Sequence, residues 1–137
     1  MMAIKTINKI TESDACSILM KQEQELEVVS IDDIKESTRK NNQYYFYVDY
    51  KMEDGTIFGA SYSFYMEDGA YKCGTSSKLY NLMKGFLDLN PLTCIGLTFD
   101  KSDIDEVLKN KKFIASAIVE SVGGKNYPYI ICKKVIE

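Results

Sequence analysis

Between Gln43 and Met66 apolar and polar positions alternate twice, once on each side of Glu53-Asp54-Gly55. In the first run Tyr44, Phe46, Val48, Tyr50 and Met52 share one parity; in the second Phe58, Ala60, Tyr62, Phe64 and Met66 do. Side chains alternate faces along a strand, so each set lines one side of a β-ribbon. A three-residue loop of Glu53, Asp54 and Gly55, with Gly55 left-handed, sets Met52 opposite Thr56 and Tyr50 opposite Phe58. Val48 then faces Ala60 and Phe46 faces Tyr62, whereas a two-residue turn at Asp54-Gly55 mixes the faces. The pattern predicts a hairpin with one core face. Its other face carries Tyr45, Tyr47, Asp49 and Lys51 on one strand and Ile57, Gly59, Ser61, Ser63 and Tyr65 on the other, with Tyr47 opposite Ser61 and Tyr45 opposite Ser63.

The flanking segments are read the same way. In a variable lead-in over residues 1–23, Ser13 is placed to cap a short helix carrying Ala15, Cys16, Leu19 and Met20, with an extended lead-in as the alternative. From Glu25 to Lys35, Leu26 and Val28 share one parity and Val29 and Ile31 the other, a phase change that predicts a bulge or sharp bend. Residues 36–42 read as a polar turn. Met66-Glu67-Asp68-Gly69 echoes Met52-Glu53-Asp54-Gly55, as if one turn chemistry were used twice, and Tyr71-Lys72-Cys73 adds a short strand.

A helix capped by Thr75, Ser76 or Ser77 and stopped at Asn90-Pro91 is expected from Thr75 to Asn90, because Leu79, Leu82, Met83, Phe86 and Leu87 form one buried stripe. Gly85 inside it costs about 1 kcal/mol against alanine, which suggests close approach of a strand. Leu92 to Phe99 is apolar without a period. Ser102 to Asn110 reads as a second helix, capped by Ser102, with Ile104, Val107 and Leu108 inward. Residues 112–122 and 127–136 form a second hairpin around Gly123 to Asn126, with Pro128 at an edge or a strand's start.

This order defines a mainly β fold. Five strands with a helix between the third and fourth give the β-β-β-α-β-β order of a five-stranded OB-fold-like barrel over residues 24–137. An α+β roll with the helix across an open sheet uses the same elements. The 137 residues suit a single domain, and 45% hydrophobic with 27% charged residues is ordinary for a soluble one. The opening MMAIKTINKITESD has no signal-like apolar core, and no apolar run approaches the roughly 20 residues that cross a bilayer. A cytoplasmic protein without membrane contact is expected.

Cys16, Cys73, Cys94 and Cys132 lack zinc-ligand spacing and read as buried free thiols. The chain has no histidine, which removes Ser–His and Cys–His nucleophile pairs, and no phosphate-cradling glycine motif. A non-enzymatic role with no cofactor and no metal follows; Asp32-Asp33-Glu36 and Glu53-Asp54 read as solvated turns. Net charge is −3, yet positive charge gathers late in the chain.

These features leave the outer hairpin face as the candidate site. Tyr45, Tyr47 and Tyr65 beside small residues present ring faces on which bases of single-stranded DNA can stack, worth about 1–3 kcal/mol per base. Lys51, Lys111, Lys112, Lys125 and Lys133, with Lys109 and Lys134 nearby in sequence, are candidates to track the phosphates. The alternative is a structural or interaction domain, in which the same tyrosines pack under the N-terminal segment, against a protein partner or in a homo-oligomer. The acidic total charge favours that alternative.

Four short motifs extend the picture. Ser77-Lys78-Leu79-Tyr80, the acidic Asp103-Ile104-Asp105-Glu106, Lys111-Lys112-Phe113 and Gly124-Lys125-Asn126-Tyr127 follow one another toward the C-terminus. In this, residues 77–137 resemble small OB-fold proteins of bacteriophages and conjugative elements. The resemblance implies single-stranded DNA as ligand and a role near DNA replication or recombination. It carries no catalytic motif and does not reach the tyrosine-rich half.

Overall fold

A computed structural model describes residue 4 and residues 6–136; positions 1–3 and 5 of the expected lead-in, and 137, lie outside the described residues. In chain order the elements are α1 (Glu12–Lys21), β1 (Gln24–Ile31), β2 (Lys35–Glu36), β3 (Gln43–Lys51), β4 (Ile57–Glu67) and β5 (Ala70–Gly74). They continue with α2 (Lys78–Met83), β6 (Gly96–Phe99), α3 (Lys101–Leu108), β7 (Lys112–Val122) and β8 (Lys125–Val135). Every named strand pair is antiparallel.

The aromatic hairpin forms in the register its parity dictates. Tyr50 pairs with Phe58, Val48 with Ala60 and Phe46 with Tyr62. Gly55, at φ +88°, closes the loop through hydrogen bonds from its N–H to the Met52 carbonyl (2.9 Å) and from the Met52 N–H to the Thr56 carbonyl (2.8 Å). The echoed tetrapeptide turns differently. Glu67 pairs with Ala70 across Asp68 (φ +54°) and Gly69 (φ +76°), a two-residue turn. The strands decide this: the two-residue turn sets Met66 opposite Tyr71 and keeps Tyr71 on the core side. A three-residue loop would swing Tyr71 to the outer face.

The phase change in β1 is a bulge at Val29, where pairing with β3 shifts between Val28 and Ser30. Past a break at residues 32–34, β2 resumes the ladder on β3, so β1 and β2 form one bent line. The other end of β1 pairs with β7.

The sheet has eight strands in the order β6-β5-β4-β3-β1-β7-β8, with β2 alongside β3. It is open, unlike the expected five-stranded closed barrel. Helix α2 packs against β8, β4 and β5, standing between the two arms of the sheet that a closed barrel would join. Helix α1 packs on the core side of β7, β4 and β8. It starts at Thr11, whose hydroxyl accepts the Asp14 N–H, rather than at Ser13.

Two expected helices also shift. The helix expected over 75–90 is capped by Ser77 and ends at Met83, after which tighter turns carry Phe86 and Leu87 onto the core. Gly85 lies there, against the backbone of Cys132 on β8. Helix α3 is capped by Asp100, not Ser102, in a reciprocal box with Asp103. The region 92–99 supplies β6, and Lys125 and Asn126 belong to β8 rather than to the turn. Pro128 sits on β8 at the sheet's edge, where its missing N–H costs no ladder bond.

One core lies between sheet and helices, with Phe46, Tyr50, Phe58, Tyr62, Leu79 and Phe113 in a single cluster. Inside it the Tyr50 and Tyr62 hydroxyls meet at 2.7 Å, one donating to the other, so each buried oxygen has a partner. Tyr62→Phe is expected to cost about 1–3 kcal/mol, because Tyr50 keeps a buried hydroxyl without a partner. Tyr50→Phe/Tyr62→Phe is expected to cost less than either single change in urea unfolding. Burial raises both hydroxyl pKa values above the ordinary 10.0. An acid held neutral in this way stabilises the fold below its unfolded pKa, and that stability is lost as pH rises past 10. The double variant should therefore show a flatter melting-temperature profile above pH 10.

Candidate nucleic-acid interface

The parity that buries Phe46, Val48 and Tyr50 turns Tyr45 and Tyr47 outward. Tyr45 lies opposite Ser63 and Tyr47 opposite Ser61, as the pattern predicts. Tyr65 continues the face diagonally from Tyr45, opposite Gln43. Tyr47 is 45% exposed and Tyr65 36%, while Tyr45 is half-buried. The rings of Tyr45 and Tyr47 meet edge to face, 5.8 Å between centroids at 88°. The N-terminal helix lies on the core side of the sheet, and residues 8–10 pair with Ile57 at the end of β4 away from Ser61, Ser63 and Tyr65.

The segment between β2 and β3 builds a wall beside them. Lys35 pairs directly with Tyr45, and the Ser37 N–H donates to the Gln43 carbonyl at 2.8 Å. The Arg39 N–H donates to the Ser37 hydroxyl at 3.2 Å, and the Met66 N–H to the Asn42 carbonyl at 3.2 Å. These bonds hold the chain's single arginine at the rim of a groove of about 370 Å³. Ser37, Thr38, Arg39, Tyr45, Tyr47, Ser61 and Ser63 line it. Grooves of about 340 Å³ beside Glu53 and Asp54 and about 380 Å³ beside Tyr71 and Phe99 are of similar size, so its lining rather than its volume sets it apart. An apolar cavity of about 220 Å³ between α2, β6 and α3 is smaller.

Toward β1 the same face turns acidic. Asp49 accepts the Ser30 hydroxyl at 3.0 Å and lies over Gly59, where an added Cβ would stand 2.9 Å from its carboxylate. Lys51 is engaged with Glu27 at 3.5 Å. The other lysines proposed to follow the phosphates are elsewhere. Lys112 pairs across from Glu27 on β7; Lys111 precedes that strand, its carbonyl accepting the Val28 N–H at 2.9 Å. Lys125 sits at the tip of the β7–β8 hairpin opposite Val122, and Lys133 is exposed on edge strand β8. None of Lys51, Lys111, Lys112, Lys125 and Lys133 lines the tyrosine groove. The cations that border the tyrosines are Lys35, Arg39 and Lys72, the last opposite Tyr65. A strand-parity argument does not see Arg39, which reaches the face through a loop; its one signal was to be the only arginine.

The thiols lie away from this face and are free. Cys16, Cys73 and Cys132 are buried and Cys94 half-buried. Burial pushes Cys16 and Cys132 up to about 11, which leaves little thiolate at neutral pH. Asp33 of the acidic turn approaches Lys101 at 3.9 Å. Among the described residues no group of three or more acidic or thiol side chains is arranged around a common metal position, and no helix is long and apolar enough to cross a membrane. No protein-family model, curated protein or solved structure matches the chain.

Proposed function

We propose that this protein is a non-enzymatic module that binds single-stranded nucleic acid, with DNA the favoured ligand, on the outer face of β3 and β4. The observation that carries the reading is the groove in which Tyr45 and Tyr47 stand over Ser61 and Ser63 with Arg39 at the rim. Aromatic faces bind bases of any sequence, small neighbours leave room for them, and a guanidinium holds a phosphate through paired donors. We take β1, β3, β4, β7 and β8, with α2 between β4 and β7, as counterparts of the β-β-β-α-β-β elements of an OB-fold, and β2, β5, β6 and α3 as additions to them. We read the sheet as an opened form of that barrel, in which the second and third strands, here β3 and β4, carry the oligonucleotide face. The motifs from Ser77 to Tyr127 support a setting in the DNA metabolism of phages or mobile elements.

Fluorescence anisotropy of labelled oligo-dT tests this. Binding is expected at low salt and should weaken as salt rises. At about 1–3 kcal/mol per stacked base, Tyr45→Ala/Tyr47→Ala should weaken it by about 30-fold or more. Absence of binding at low salt, together with dimers on sizing, would instead favour a face that meets a second copy of the chain.

A further inference from the structure

Resting on that reading, we infer that the bound strand crosses the sheet, entering at Lys35 and Arg39, passing over Tyr47, Tyr45 and Tyr65, and leaving at Lys72. It runs neither along the hairpin toward Lys51 nor onto β7 and β8. The strand pairings draw this path. Lys35, Tyr45 and Ser63 lie side by side across β2, β3 and β4; Gln43, Tyr65, Lys72 and Thr98 lie side by side across β3, β4, β5 and β6. Cations therefore stand at both ends of the tyrosine staircase. Among the described residues Lys35 and Arg39 enter no ion pair, and Lys72 meets only Glu67, at 3.3 Å, whose side chain is largely exposed.

The alternative path is closed by charge. A phosphate moving along β3 from Tyr47 would meet Asp49 and then Glu27, which already engages Lys51. Two carboxylates stand on that route and repel a polyanion, whereas on the crossing route the acidic groups lie at its margins: Asp32, whose N–H donates to the Tyr47 carbonyl at 2.9 Å, and Glu67, paired with Lys72. From β2 to β5 is three inter-strand spacings, about 14 Å at roughly 4.8 Å each. That length fits a short site, near the lower limit of about 4 nucleotides for a single module. Three cations also set a shallow salt dependence. At about −0.7 per neutralised phosphate on a single strand, the slope of log K against log salt should be about −2.

The experiment is the salt dependence of oligo-dT anisotropy for the full chain and exposed-site variants. Arg39→Gln and Lys72→Gln should each reduce the slope by about 0.7, whereas Lys112→Gln and Lys133→Gln should leave it unchanged. A slope that ignores Arg39→Gln and Lys72→Gln overturns the crossing path. If Lys112→Gln or Lys133→Gln lowers it instead, the strand runs over β7 and β8; stacking on the tyrosines then stands or falls separately on Tyr45→Ala/Tyr47→Ala. Failure of the unmodified chain to bind at low salt overturns both the path and the function it rests on.

Discussion

Lys78→Met is expected to lower the unfolding free energy by about 3 kcal/mol. The Lys78 amino group stands 2.8 and 2.6 Å from the two Glu12 carboxylate oxygens and donates to the Ser61 carbonyl at 2.7 Å. It also lies 5.0 Å from the centre of the Tyr62 ring. One side chain thus ties α1, β4 and α2 together, and it does so with the pair only 19% and 22% exposed. Removing the ammonium leaves a mostly buried carboxylate without a counter-charge, which costs about 3–5 kcal/mol when burial is complete. The residual exposure places Lys78 at the low end. Glu12→Gln/Lys78→Met should recover part of the loss, since no uncompensated charge then remains. Urea unfolding reads both, and a loss below about 1 kcal/mol in Lys78→Met would show that the pair is solvated.

Gly85→Ala is expected to cost about 3 kcal/mol, the upper end of what overpacking a tight contact costs. The added Cβ would lie 2.5 Å from the Cys132 Cβ and closer still to the Cys132 carbonyl oxygen. A backbone carbonyl on β8 has no rotamer to give way, so the end of α2 and the strand must separate. That contact is where α2 joins β8 to the β4–β5 arm, so the damage reaches the whole arrangement. A stabilised Gly85→Ala variant would mean that α2 does not seat against β8.

Much of this was legible in the sequence because parity is a local property with a global consequence. The β3–β4 register, the bulge at Val29 and the extent of β7 follow from which residues alternate. Gly85 announced a close approach, and Cys132 supplies it. What local pattern could not supply was competition between neighbours. Ser102 looks like a cap, but its hydroxyl donates to the Asp100 carboxylate at 2.6 Å, and Asp100 takes the capping position. The two identical tetrapeptides turn differently because the strands that follow need opposite offsets to keep their apolar sides inward.

The same divide runs through the candidate site. Tyr45, Tyr47 and Tyr65 were placed together by counting along two strands. Lys51 comes from the same strand count and the later lysines from nearness in sequence, and the fold spreads Lys51, Lys112, Lys125 and Lys133 across a salt bridge, a neighbouring strand, a hairpin tip and an edge. Lys78 belongs to the motif that resembles phage proteins, yet here it has a structural task sufficient to account for it.

The central claim, that a nucleic-acid strand lies on the tyrosine face, is tested most directly by following backbone amide resonances while oligo-dT is added to the labelled protein. The expected result is a set of shifts confined to residues 35–47, 59–65 and 72, with saturation at a single affinity. Shifts that gather instead at residues 119–127 of the β7–β8 hairpin, or a spectrum that does not change at low salt, would contradict it.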